Sequence, residues 1–311
     1  MFVSILVQEL RFRLKKKWTH LYALLFFLLG FVTITATGVS NGSIYVGGRN
    51  ITEVLNGALA VERLTFGFSF LGILLTAPFI GRAIYRDYES GIHPLTFTTP
   101  VSKFDYLGGR FVGAVLAHLY LYAGLTAGLL LAAYMPWIAP DSLGPFSVGV
   151  YLHPYLLYLL PNLLAVGGLF FALPALTRKM LPNYVLSVIL FLGYPIAVAL
   201  FVATENTWAL LLDPLGLLPV RYLTESWSTA EMQAQLVPIE GWLLANRMLW
   251  MAVGAVAAVP GKHLALAGLH FRGCILHSRR GGGSYSLHNG GTGQYGRVPR
   301  YRRGHRSDES P

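Results

Sequence analysis

The sequence predicts an all-α membrane protein, with six transmembrane helices preceded by an amphipathic helix lying in the membrane interface. Three observations carry this expectation. Hydrophobic residues make up 54% of the 311 and charged residues only 12%, about half the charged share of a soluble domain. Mean hydropathy is positive, at +0.53. Apolar runs recur at the length of about 20 residues that a helix needs to cross a hydrocarbon core about 30 Å thick. Lipid offers backbone groups no partner, and the alternation of barrel strands is absent, so the runs are helices.

Residues 1–18 come first. Val3, Leu6, Leu10, Leu14 and Trp18 fall at helical spacing, and Arg11, Arg13, Lys15, Lys16 and Lys17 gather toward the membrane end. That pattern predicts a helix lying in the inner-leaflet interface. It is not the pattern of a cleaved leader, because the basic cluster follows the apolar residues and no small-residue cleavage site appears.

Six spans are expected at roughly 19–38, 66–83, 111–135, 151–176, 184–203 and 241–259. Eleven Lys and Arg fall before span one, in the loop 82–110 and at Arg178 and Lys179, against three (Arg49, Arg63, Arg221) in the alternate connections. The positive-inside rule then puts the N-terminus, the 82–110 loop and the C-terminus in the cytoplasm. Asn41 and Asn50 begin glycosylation-type tripeptides on the outer side, a weak pattern. Trp137, Trp208 and Trp227 read as interface anchors.

Composition changes near Pro260. Residues 260–311 form a basic, Gly-rich tail expected to be disordered; from Gly261 onward, nine Lys plus Arg stand against two acids. Anionic lipid, not nucleic acid, is the partner expected of it. The single cysteine, Cys274, excludes an intrachain disulfide.

Chemistry inside the chain is sparse. There is no G-x-x-x-x-G-K-[ST] phosphate loop, the nearest approach being VPGKH at 259–263, and no H-E-x-x-H or G-x-S-x-G motif. No catalytic, cofactor-binding or metal-binding residue is assigned. His118 and His153 have no acid at helical spacing and are expected to make interhelical hydrogen bonds. The six expected spans contain no acidic residue that would carry protons. Arg247, in span six, is expected to snorkel to the outer headgroups, with Glu240 as partner. Pro161, Pro174 and Pro195 are candidate kinks, and the GxxxG pair Gly124/Gly128 is a weak dimer signal.

If the chain moves something across the membrane, then with no nucleotide site and no proton carrier its energy has to enter through a partner, and the loop 82–110 is the large inner surface available for one. It reads as a helix continuing from span two with Arg86, Asp87 and Glu89 exposed. Gly91 breaks the helix, Pro94 discourages its continuation, and a second turn at Pro100 leads through Lys103 to Gly108, Gly109 and Arg110.

The stretch RDYESGIHPLTFTTPVSKFDYLGGRF resembles the cytoplasmic loop of ABC-2 type exporter permeases, in which an acidic-x-Gly turn precedes a TPVS(K/R)…Y…G(K/R) run. LLDPLGLLPVRYLTESWSTAEM resembles the segment before the last span in a subgroup related to permeases fused to M1-type aminopeptidase domains. The resemblance runs from residue 1 to about 258. It implies a six-span half-channel that pairs with a second permease copy or paralogue, and a cytoplasmic ATPase subunit that binds the ATP; this chain itself would carry no cofactor. It also implies an amphipathic N-terminal helix and a re-entrant outer region at about 205–240. Arg86, Asp87, Glu89, Gly91, Pro100, Lys103 and Arg110 would be the ATPase-coupling residues, and the bacterial inner membrane the location. The tail after about Ala257 departs from the family pattern, as an altered reading frame, a divergent end or an authentic flexible tail. A non-transporting membrane anchor or scaffold for a partner enzyme is the alternative. The substrate is not legible.

Overall fold

A computed structural model describes residues 1–39, 44–46, 49–51, 54–91, 102–204 and 206–258. Helix α1 spans Phe2–Leu14 and α2 spans Lys17–Val39. A small antiparallel hairpin pairs β1 (Ile44–Val46) with β2 (Arg49–Ile51), Tyr45 opposite Asn50. Next come α3 (Ala58–Leu71), α4 (Ile73–Glu89) and α5 (Lys103–Ala133). Helix α6 (Val148–Thr177) includes a π-helical stretch at Tyr155–Leu159, and α7 spans Leu181–Thr204. Three short helices, α8 (Ala209–Leu212), α9 (Leu217–Thr224) and α10 (Thr229–Ala234), lead to α11 (Gly241–Ala258).

Among the described residues five helices, α2, α5, α6, α7 and α11, are long and apolar enough to cross a membrane, and the bent pair α3–α4, taken as one span, makes six. The all-α, six-span fold class therefore holds, with a correction to span two. The helix pair covers 58–89, well beyond the apolar run 66–83, and breaks at Gly72 with a bend of 58°. A side chain at Gly72 would collide with the Tyr122 hydroxyl. Thr76 Oγ1 donates to the Gly72 carbonyl at 2.8 Å, beside the Thr76 N–H that reaches the same oxygen at 2.8 Å. Pro78, which has no N–H for the preceding turn, follows in α4.

Close helix packing rests on small residues. On α5, a Cβ at Gly124 or Gly128 would run into the backbone carbonyl of Ala23 or Phe27 on α2. The GxxxG pair is thus occupied within the chain, which removes it as a dimer signal. Likewise Gly168 of α6 meets Gly254 of α11 backbone to backbone. The main core gathers Phe26, Ile80, Phe111, Leu121, Tyr122 and Phe171 from four of these helices. By contrast α7 is the least buried span, and Ile189, Leu192, Ile196 and Leu200 stand exposed along it, as a lipid-facing helix requires.

Helix α5 also departs from the expected start at about residue 111. Ser102 caps it, accepting from the Asp105 N–H at 3.0 Å. Its 31 residues span about 46 Å at 1.5 Å per residue, more than the hydrocarbon core requires, so its first turns project beyond it. Helix α1 packs on this projecting part, seated on Gly109 and Gly113 through Ile5 and Glu9.

Candidate functional site

The inward face of α1 is polar. Glu9 is 3% exposed and Arg13 7%, whereas Val3 and Trp18 of the apolar stripe are each 67% exposed. A helix that turns its only carboxylate inward needs cationic partners there, because an isolated buried carboxylate is costly. Arg13 supplies one, its Nε donating to Glu9 Oε1 at 2.7 Å one helical turn away. The second comes from α4, where Arg86 Nη2 donates to Glu9 Oε2 at 2.9 Å. Arg110 of α5 completes the group with its Nη1 3.6 Å from Glu9 Oε2.

Arg110 also bridges to a second carboxylate. Its Nη2 lies 2.7 Å from Asp87 Oδ2, its Nη1 donates to the Ala83 carbonyl at 2.9 Å, and the Tyr106 hydroxyl donates to Asp87. Arg13 Nη1 in turn donates to the Phe79 carbonyl at 2.7 Å, and Arg86 stacks 4.0 Å over the Phe12 ring. Three arginines and two carboxylates thereby lock α1, α4 and α5 together at the end of the bundle where the 82–110 loop leaves it. Burial draws Arg13 below its usual pKa, and the charge and hydrogen bond of Glu9 oppose that fall. The elbow into α2 is fixed too, since Thr19 Oγ1 donates to the Arg13 carbonyl at 2.8 Å.

The residues expected in this loop divide into two groups. Arg110 and Asp87 belong to the junction, and Asp87 is 6% exposed, which corrects its expected exposure: it faces α5 on the inner side of α4, where Arg110 and Tyr106 satisfy it. Arg86 is half-buried and already engaged by Glu9. Glu89, the last residue of α4, and Lys103, the first of α5, are exposed. Gly91 has φ +68° and nothing near its Cβ position, as a helix-terminating glycine requires. Pro94 and Pro100 lie outside the described residues.

Sequence reasoning missed Glu9, Arg13 and Tyr106. A signal existed for the first, because Glu9 is the one acid in the first fifty residues and stands four residues from Arg13.

A second buried polar cluster lies at the opposite end. Arg247 is 2% exposed and does not snorkel: its Nη1 donates to Asn162 Oδ1 at 2.9 Å and to the Leu215 carbonyl at 3.1 Å, and its Nε to Asn246 Oδ1 at 3.0 Å. The expected Glu240 partner is replaced by these groups. Asp213 accepts from the Leu215 and Leu218 N–H groups at 2.9 and 2.7 Å and from the Tyr194 hydroxyl at 3.0 Å. This network holds the segment 206–240 against α6, α7 and α11.

The histidines do make interhelical hydrogen bonds. His118 Nε2 meets Thr76 Oγ1 at 3.2 Å, and His153 Nδ1 meets Glu62 Oε1 at 2.6 Å. Glu62 is fully buried, so an acid does sit inside the helix pair of span two, one turn outside the apolar run read from sequence. Trp137 and Trp208 are exposed, as interface anchors are, whereas Trp227 is partly buried against the core that includes Phe66 and Val237.

No curated protein matches the chain. The sequence profile of the ABC-2 family transporter proteins matches residues 3–258, the same stretch that carries all six spans and both polar clusters, and the chain therefore belongs to that family of membrane transport components.

Proposed function

We propose that this ABC-2 family chain is the permease subunit of an exporter driven by a separate cytoplasmic ATPase that docks on the 82–110 loop. The observation that carries the reading is the Glu9–Arg86–Arg110–Asp87 junction. It ties the two helices flanking the loop, α4 and α5, to each other and to α1. A force applied to exposed Glu89 or Lys103 then moves three helices as one body, because pulling buried charges apart costs about 3–5 kcal/mol. Along α4 that motion reaches the Gly72 break, where the chain already bends. Coupling of this kind needs two sites and an element that both bias; here the sites are the ATPase dock and the substrate path, and the element is α4 with α5.

Alternating access follows if two permease copies, or this chain and a paralogue, form the path between them. The exposed apolar face of α7 is available to lipid or to such a copy. The orientation consistent with this reading puts both termini and the 82–110 loop in the cytoplasm of a bacterial cell, with the chain in the inner membrane. The substrate class is left open.

The test is co-expression with an ATPase encoded beside this chain, followed by co-purification and ATP hydrolysis in reconstituted vesicles. The exporter reading expects a stable complex whose hydrolysis rises when the permease is present. Binding without stimulation would favour a membrane scaffold instead, and absence of any complex would overturn both.

A further inference from the structure

Between the α1–α2 elbow and the adjoining half of α4 lies a groove of about 430 Å³. Its floor is apolar, made by Leu75, Pro78 and Phe79 of α4 and Leu121 of α5. Its rim is basic, with Lys16, Arg82 and Arg86 around it and Glu89 the one carboxylate among the described lining residues. Arg13 and Arg86 are engaged by Glu9. Lys16 and Arg82 have no carboxylate partner among the described residues. Trp18, 67% exposed, also lines the groove, where α2 begins its course through the apolar layer.

Positive charge around the rim outweighs negative. Lys16 is held below its usual pKa by burial first, then by Arg86, Arg13 and Arg82, against the weaker pull of Glu9. Its ammonium lies 4.3 Å over the Phe12 ring. An anion between Lys16 and Arg82 would relieve that repulsion. A free phosphate would use the rim and leave the apolar floor wet; a neutral lipid would use the floor and leave the rim repelling itself. One ligand class satisfies both parts.

We propose that this groove binds one anionic phospholipid, its phosphate held between Lys16 and Arg82 and an acyl chain lying along Leu75, Pro78 and Phe79. The headgroup then sits beside Arg86, and the lipid props the junction from outside. This needs the chain to be in a membrane and nothing of its transport activity, so it stands or falls apart from the function proposed above.

The test uses the full chain in a neutral detergent, with native mass spectrometry after adding phosphatidylglycerol or phosphatidylcholine of the same acyl chains. Two basic groups near a membrane surface predict retention of one phosphatidylglycerol about tenfold or more over phosphatidylcholine. The pair Lys16→Gln with Arg82→Gln removes the preference. The pair Lys15→Gln with Lys103→Gln, equal in charge and outside the groove, keeps it. Leu75→Trp fills the floor and expels the lipid with the rim intact, which decides the matter if the first pair does not fold. Equal retention of the two lipids, equal loss in both charge pairs, an undiminished preference in Leu75→Trp, or displacement by millimolar inorganic phosphate would each overturn the site.

Discussion

Gly216 and Arg247 share one space: the left-handed backbone of Gly216, φ +77°, leaves a notch filled by the Arg247 guanidinium, so that even a methyl group there would lie inside it. The arginine is consequently a buried strut between α11 and the loop before α9, tied through Asn162 to α6.

Gly216→Ala is expected to lower stability by about 1–3 kcal/mol from backbone strain alone, with the collision adding to it. Asn tolerates a left-handed backbone better than Ala, yet Gly216→Asn should be no milder, because the arginine and not the backbone decides. Arg247→Leu should cost about 1–3 kcal/mol for each buried acceptor it leaves unsatisfied. Thermal unfolding in detergent measures all three, and an Asn variant as stable as wild type would refute the shared-space account.

At the other end, Glu9→Gln leaves Arg13, Arg86 and Arg110 crowded with Asp87 as the one remaining carboxylate. Asp87→Asn should behave similarly, since Arg110 joins both acids. Each substitution is expected to destabilise by about 3 kcal/mol or more and to lower ATPase stimulation further than stability alone explains. Combining Glu9→Gln with Arg86→Gln, which removes one charge of each sign, should recover part of the loss. Stimulation of hydrolysis at the wild-type level in Glu9→Gln would show that the junction transmits nothing.

Outside the spans, α10 carries a pH-dependent cap. Ser228 N–H and Oγ each donate to Glu231 Oε2 at 2.7 Å, while Ser228 Oγ accepts from the Glu231 N–H, the reciprocal arrangement of a capping box. The Ser228 backbone and hydroxyl donors hold the Glu231 carboxyl below its usual pKa of 4.5. A carboxylate with a depressed pKa in the folded state contributes stability that is present above the unfolded value and lost as pH falls through the folded one. Protection factors of the α10 amides, with the intrinsic pH dependence of exchange divided out, should therefore be steady from neutral pH down to about 4.5 and fall below it, and Glu231→Gln should abolish that fall. The same fall in protection in the Gln variant would assign the effect to another group.

Orientation is tested directly by reporters. The eleven-to-three division of Lys and Arg predicts that a reporter at Gly47 registers outside and one at Lys103 inside. The opposite result at either position would dismantle the six-span arrangement.

The spans were legible because hydropathy is a local property: each run of about 20 apolar residues announces itself. Partners across space were not. Glu9 meets Arg86 across 77 residues and Arg247 meets Asn162 across 85, and no window along the chain holds both members. An intramembrane Arg read alone suggests snorkelling, and only the position of Asn162, Asn246 and Leu215 makes burial affordable in free energy. Asp87 failed for a smaller reason. At a helix end beyond the apolar run, sequence does not say which face turns toward α5. Gly91 was readable because its demand is on its own backbone.

The loop itself offers the sharpest test of coupling, since exposure and backbone geometry make separate demands there. Glu89 is exposed at the end of α4, unlike Asp87, so it is free to meet an ATPase. Glu89→Lys adds positive charge on the inner side and should leave orientation intact, while a charged contact buried on docking would be lost at about 2–5 kcal/mol. Gly91 stands two residues further on, with φ +68° and open space around it. Gly91→Asn should be nearly neutral and Gly91→Ala cost about 1 kcal/mol. Gly91→Pro should redirect the loop altogether, because proline holds φ near −65°. Co-purification with the ATPase and stimulated hydrolysis should then rank wild type and Asn above Ala, and Ala above Pro, with Glu89→Lys weakened at normal expression. Unchanged pull-down and stimulation in both Glu89→Lys and Gly91→Pro would reduce residues 82–110 to a solvated connector whose charges only orient the chain.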